Sequence, residues 1–282
     1  MSDLTRSRLV ALFLAAAFLA PIAYALFVQH GLFVRLWGLA ALVAIWAIQF
    51  ARDRAARHRP ATGDPARGLI LFVEPLSWLG LKWGYRRFLL AARLAATPAR
   101  RELFSWSDPW RATLLLPDLL ARRRHQARAK RLAAYLSAYR AAFPDAPIDI
   151  IAYSSGGFIA LEALRQLNPA VRVRRLILLA CSVSRDYDLS VPLRSCDRLL
   201  NLSSPLDFLI NGLGPLLLGT NDRRHVLPAG LLGFRPAADQ PACHEIRWRP
   251  RFTRFGWLGD HFSVAATPLL LALLRDDSAF HR

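Results

Sequence analysis

A serine at the tip of a tight turn is the first group in this sequence whose neighbours suit chemistry. Ala152-Tyr153-Ser154-Ser155-Gly156 lies between an apolar, β-branched run, Ile148, Ile150 and Ile151, and a segment where Phe158, Leu161 and Leu164 recur at helical spacing until Asn168-Pro169. The first pattern predicts a buried strand and the second a helix. A chain turning sharply from strand into helix forces its apical residue into a strained conformation. It can do so only where the residues two before and two after are too small to collide. Ala152 and Gly156 meet that demand for Ser154, whereas Ser155 has the bulky Tyr153 two residues before it, so Ser154 is the apex. Its hydroxyl then stands clear of the sheet, and the first amides of the helix face whatever binds there. The plain alternative is an ordinary strand–helix turn.

The stretch resembles the nucleophile elbow of the α/β-hydrolase superfamily, with Ala152 where the motif usually has its first Gly. The resemblance implies a serine hydrolase of the esterase or lipase kind, with no subfamily assigned. A serine hydroxyl is a poor nucleophile and needs an imidazole to take its proton and a carboxylate to orient that imidazole. In the superfamily these follow in the order Ser, acid, His, on loops at the C-terminal edge of the sheet. That order points to Asp207, in the loop Ser203-Ser204-Pro205-Leu206-Asp207, and to His261, in Gly256-Trp257-Leu258-Gly259-Asp260-His261-Phe262. Asp186 and Asp188 follow the preceding strand, where a minority of such enzymes keep their acid. Asp207 would otherwise be a turn residue. Asp260 reads as a loop-capping carboxylate, because neighbouring side chains rarely point together. His225 sits in a polar loop and His244 at a strand start; His30, His58, His125 and His281 have no partner in view. Asp222, His225 and His244 are poorly spaced for a metal, and the chemistry requires no cofactor or metal.

An oxyanion needs two backbone amides aimed at it. The amide of Ser155 is the first candidate. The second normally comes from the loop after the strand corresponding to Leu69–Val73, where many members carry His-Gly. Here that loop reads Glu74-Pro75-Leu76, a departure; Pro75 has no N–H, which leaves Leu76. Glu74 is alternatively a structural carboxylate bonded to nearby backbone or Arg. The apolar, aromatic run Leu76 to Trp83 and the Gly- and Leu-rich run Leu206 to Phe234 suit an acyl chain or lipid ester, or are ordinary core.

These residues need a sheet to hold them. From Gly68 the chain alternates strand and helix, predicting a mostly parallel sheet with helices on both faces. Strands are expected at 69–73, 103–106, 148–153, 175–180, 198–202 and 245–248, and helices at 83–96, 118–143, after Phe158, and around 269–274. The α/β-hydrolase domain then spans 68–282, with a small cap-like insertion about 208–243. This order resembles the α/β-hydrolase core without its outermost first strands.

Upstream, Leu9 to Val28 holds no charge and Leu32 to Phe50 holds only Arg35, each near the ~20 residues a membrane-crossing helix needs. Arginines outside both ends predict an N-terminal transmembrane helical hairpin over 1–51, helices about 9–28 and 32–50, with the catalytic domain on the cytoplasmic side of the inner or plasma membrane. Ala23-Tyr24-Ala25 also fits a cleavable signal peptide. Arg52 to Arg67, with Pro60, Gly63 and Pro65, reads as a basic linker lying against anionic headgroups.

The formal charge of +18 is carried almost wholly by Arg. No helix-turn-helix, zinc-finger or aromatic RNA-binding signature accompanies it, so nucleic acid is not the expected partner. Three widely spaced cysteines argue against a disulfide framework. The sequence therefore points to a membrane-tethered serine hydrolase acting on a small-molecule or lipid acyl ester or thioester. A non-catalytic scaffold and an acyltransferase with the same three residues are the alternatives.

Overall fold

The computed structural model describes residues 32–57, 61–76, 84–106, 122–235, 242–276 and 280. The chain forms two compact units, Met1–Arg59 and Pro60–Arg282.

The larger unit is built on six strands, β1 (Asp64–Val73), β2 (Ala99–Phe104), β3 (Ile148–Tyr153), β4 (Val173–Leu179), β5 (Cys196–Ser203) and β6 (Cys243–Arg247). They lie in the order β2-β1-β3-β4-β5-β6, and each neighbouring pair is parallel. Five of them overlie the spans that alternation predicts, apart from their ends, whereas β2 begins four residues before the expected 103–106 and ends at Phe104. Every residue of β3 is buried, as a parallel strand covered on both faces requires. Successive side chains point to opposite faces. Leu69, Leu71, Ile148, Ile150 and Ala152 join a core with Leu132, Leu136 and Phe158, while Phe72 stacks on Phe88 with ring centroids 5.3 Å apart. The covering helices are α2 (Tyr85–Leu94), α3 (Arg122–Ala142), α4 (Gly156–Gln166) and α7 (Thr267–Arg275), with α3 packed on α4 and α2 on α7. Two short helices, α5 (Gly214–Leu218) and α6 (Ala229–Leu232), lie between β5 and β6.

One buried charge needs explanation. Asp149 on β3 is 1% exposed, and it accepts hydrogen bonds from Arg174 Nε (2.8 Å) and from Nη2 of Arg174 and Arg175 (2.5 and 2.6 Å). Paired guanidinium groups with fork geometry are what make a buried carboxylate tolerable.

The strand order reverses between β1 and β3, so their following connections run to opposite sides and leave a crevice at the C-terminal strand ends. The turn carrying Ser154 opens from that edge.

The smaller unit contains α1 (Leu32–Arg57), which differs from expectation twice. It continues without a break through Arg52, Asp53 and Arg54, so the expected linker begins as helix. Among the described residues, no helix is long and apolar enough to cross a membrane. The uncharged part of α1 runs only from Leu36 to Ala51, between Arg35 and Arg52, short of the ~20 residues required. The expected spanning helix over 32–50 is corrected accordingly. The first apolar block, Leu9 to Val28, lies outside the described residues.

Candidate active site

Ser154 has φ of 53°, the left-handed region that a non-glycine residue occupies only under constraint. The constraint is visible: its amide donates to Leu179 O on β4 at 2.8 Å, and its carbonyl accepts from Gly157 N at 3.0 Å. Ser155 returns to helical angles and leads into α4. Space is equally tight around the turn. A Cβ on Gly156 would lie 2.4 Å from Glu74 O and 2.7 Å from Val73 O, both backbone atoms. Gly156 is therefore required by the close approach of the loop after β1. Gly156→Ala should destabilise the domain by about 1–3 kcal/mol, the usual cost of overpacking. An unchanged melting temperature would show that the loop yields freely.

Asp207 and His261 arrive from the two loops anticipated. Asp207 follows β5 in a turn closed by its amide to Ser204 O at 3.1 Å, and it is 3% exposed. His261 follows β6, and its backbone carbonyl accepts the Tyr153 hydroxyl at 2.6 Å. Burial raises the Tyr153 phenol well above its ordinary range, which keeps it a donor. Asp260 Oδ1 accepts from the amides of Phe262 (2.9 Å) and Ser263 (3.0 Å), so this carboxylate caps the loop as expected. Gly259, with φ of 94°, lets the loop close on Leu206; a Cβ there would lie 2.8 Å from Leu206 Cδ1.

The three side chains meet. His261 Nδ1 is 2.7 Å from Asp207 Oδ2, and His261 Nε2 is 3.1 Å from Ser154 Oγ. A carboxylate beside Nδ1 accepts, so Nδ1 carries the hydrogen and Nε2 presents a lone pair to the serine hydroxyl. Ser154 and His261 are each 7% exposed.

Two further side chains reach the same place and were not found in the sequence. Asn211 Nδ2 donates to Asp207 Oδ2 at 2.7 Å, and Ser182 Oγ donates to Asn211 Oδ1 at 2.8 Å while lying 3.5 Å from Ser154 Oγ. The available signal for Asn211 was its spacing of four residues from Asp207, which stacks two side chains on one helical face.

The rival residues are placed elsewhere. Asp186 pairs with Arg235 at 3.1 Å, and Asp188 lies 3.7 Å from Arg165 and accepts from Ser190 N. Asp222 accepts from the amide and hydroxyl of Ser184. His225 is exposed, with Nδ1 3.2 Å from Leu216 O. His244 is half-buried on β6. His125, for which no partner was in view, is 1% exposed and packed edge-on to Trp106 (5.2 Å) and Phe158 (6.0 Å), a core histidine. His30, His58 and His281 lie outside the described residues. Among the described residues, no group of three or more His, Cys, Asp or Glu is placed to hold a metal ion.

The Glu74-Pro75-Leu76 loop is explained in part. Glu74 is fully buried and accepts from the Ser105 hydroxyl (2.9 Å) and Trp106 N (3.1 Å), while Trp106 Nε1 donates to Glu74 O (2.6 Å). It ties the ends of β1 and β2 together, which is the structural role foreseen for it. Leu76 is half-buried in this loop.

Cysteine chemistry does not compete with Ser154. The three cysteines are unbridged, and burial pushes the thiols of Cys181, Cys196 and Cys243 up to about 12, far from the thiolate form. The two loops that deliver Asp207 and His261 also carry exposed apolar side chains. Leu206, Phe208, Leu209, Leu258 and Phe262 are all at least 40% exposed, with Leu209 at 73%.

No family model and no curated relative matches the sequence. Solved structures similar to the chain include a cutinase-like protein from Cryptococcus sp., 14% identical, covering 77% of this chain and 95% of that one with a TM-score of 0.40. Others are the mature form of Bacillus licheniformis lipase BlEst2 (17% identity, 77% and 96% covered, TM-score 0.43) and Trichoderma reesei cutinase in complex with a C11Y4 phosphonate inhibitor (12%, 92% and 95%, 0.37). Likenesses this distant say nothing about substrate, so the chemistry must be read from the site. The parallel sheet and its strand order, with a strained serine between β3 and α4, make this an α/β-hydrolase-like domain.

Proposed function

We propose that the protein is a serine hydrolase that cleaves a carboxylic ester or thioester through an acyl-enzyme on Ser154. What carries the reading is the unbroken hydrogen-bonded line from Ser154 through His261 to Asp207. His261 Nε2 takes the Ser154 proton as Oγ attacks the substrate carbonyl. Asp207 holds the imidazole by its Nδ1 hydrogen and stabilises the imidazolium that forms. The amide of Ser155, with that of Leu76 as second donor, receives the oxyanion. When the tetrahedral intermediate collapses, His261 returns the proton to the leaving alcohol or thiol. Water then gives a proton to His261, attacks the acyl-enzyme and releases the acid, restoring the Ser154 hydroxyl.

The apolar side chains on the loops of Asp207 and His261 favour an acyl substrate with an aliphatic or aromatic body. A fluorophosphonate, which mimics the attacked carbonyl, is the direct test. Labelling is expected at Ser154 and is expected to vanish in Ser154→Ala. Well-folded protein that never labels would instead make the domain a scaffold.

The N-terminal segment is the proposed tether. Its basis is the uncharged block Leu9 to Val28 and the arginines that follow the second apolar block. The full chain is expected to pellet with membranes and to resist extraction by high salt, with the hydrolase domain open to protease from the cytoplasmic side. Recovery in the soluble fraction at low salt would defeat the tether and leave the catalytic reading untouched.

A further inference from the structure

Asn211 engages both carboxamide hydrogens and its oxygen beside the site, and no step above draws on it. It is fully buried in a π-helical turn, Leu209–Leu213, a local geometry that recurs at functional sites. Its two Nδ2 hydrogens go to Asp207 Oδ2 (2.7 Å) and Ala180 O (3.1 Å), and its Oδ1 accepts the Ser182 hydroxyl (2.8 Å). Turned over, the amide would face two acceptors with its oxygen and one donor with its nitrogen, so only one orientation is allowed. The Ser182 hydrogen is thereby committed to Asn211, and Ser182 can only accept from Ser154, whose Oγ lies 3.5 Å away. At that outer limit it holds the serine hydroxyl loosely, and His261 at 3.1 Å prevails. The ring of contacts closes on itself: Ser154, His261, Asp207, Asn211, Ser182.

We infer that Asn211 and Ser182 are positioning residues. Asn211 fixes the Asp207 carboxylate and limits how strongly it draws on the His261 Nδ1 hydrogen, while Ser182 locks the Asn211 amide and offers Ser154 a second acceptor. The inference rests on the reading of Ser154, His261 and Asp207 as a catalytic triad. Its physical content is competition at one atom. Asp207 Oδ2 receives hydrogen bonds from both His261 Nδ1 and Asn211 Nδ2, and each donor to a carboxylate weakens its affinity for another proton. Without Asn211 the oxygen pulls harder on His261 and favours the imidazolium, which cannot take the Ser154 proton. Tyr153, Asp260 and Arg87 also face His261 or its loop, through Tyr153 Oη to His261 O, Asp260 Oδ1 to the Phe262 amide and Arg87 Nη1 to Phe262 O. None of these contacts is altered by changing Asn211 or Ser182.

The rate at which a fluorophosphonate labels Ser154, followed against pH on the full chain, tests this without knowledge of the substrate. Asn211→Leu is expected to move the acid limb of that profile upward by about one pH unit, and so to slow labelling on that limb about tenfold. Ser182→Ala, which only frees the amide, should move it the same way by less, with about a threefold loss. If Asn211→Leu fails to melt cooperatively, Ser182→Ala decides. Folded variants that keep the wild-type acid limb, however slowly they label, would reduce both residues to packing and overturn the inference alone. Wild-type protein that never labels would overturn the triad reading, and this inference with it.

Discussion

Ser154→Ala is expected to lower ester turnover by about 10⁶-fold while leaving the fold intact. The size follows from the three side chains acting as a unit: without Oγ, neither His261 nor Asp207 has a proton to move, and loss of the serine or the histidine alone costs about as much as loss of all three. A factor of 10⁶ corresponds to ~8 kcal/mol of transition-state stabilisation. Backbone strain at a left-handed serine is worth only about 1–3 kcal/mol. Alanine at φ of 53° keeps that strain and loses a 3.1 Å hydrogen bond, so stability should shift little. Turnover and melting temperature measured on the same preparation therefore separate chemistry from folding. A few-fold drop in turnover with an unchanged melt would remove Ser154 from the mechanism.

What was legible in the sequence depended on how far apart the cooperating residues lie. The elbow is local: two small residues, a strand pattern and a helix pattern within twenty positions fix Ser154, and the clash a Cβ on Gly156 would meet with Glu74 O is the physical form of that rule. Asp207 and His261 could be picked out only by their order along the chain and their places just past β5 and β6. Asn211 offers only its spacing of four residues from Asp207. It sits in Phe208-Leu209-Ile210-Asn211-Gly212, which reads as an apolar cap, and its importance arises only when Ala180 and Ser182 from the end of β4 are brought beside it. The burial of His125 was hidden for a different reason. It lies seven residues before Leu132, on the buried face of α3, but the surrounding arginines hid the period. The expected linker begins as helix because its first residues favour one. Arg52-Asp53-Arg54-Ala55-Ala56-Arg57 holds mostly good helix formers, and the breakers Pro60, Gly63 and Pro65 all come after it. Likewise β1 begins at Asp64, within the stretch expected to be unpaired, because Asp64 pairs with Ala99 at the edge strand.

Asp207→Asn should lower kcat by about 10²-fold with little change in KM or in melting temperature, and the hydrogen bonds around residue 207 set the size. An asparagine here would offer one oxygen and one NH₂ where the carboxylate offers two acceptors. His261 Nδ1 and Asn211 Nδ2 both donate to the same oxygen, Oδ2, each at 2.7 Å, whereas Oδ1 accepts a long contact from the Asn211 amide at 3.4 Å. The new oxygen therefore takes the Oδ2 place, where it serves both donors, and the new NH₂ takes the Oδ1 place. His261 keeps its hydrogen on Nδ1 and its lone pair toward Ser154. What is lost is the charge that stabilises the imidazolium, worth about 3 kcal/mol at this distance, or about 10²-fold in rate. Because the substrate still reaches the same apolar loops, KM has no reason to move. The double variant Asp207→Asn with Asn211→Leu sharpens the test, since the amide at 207 is then free to turn its NH₂ to His261, which moves the ring hydrogen to Nε2 and points a donor at the Ser154 hydroxyl. A wrong tautomer in otherwise intact geometry costs about 10⁴ in serine hydrolases of this type, so the double variant should fall about a further hundredfold. A single variant with wild-type kcat would mean that the Asp207 charge does not serve His261.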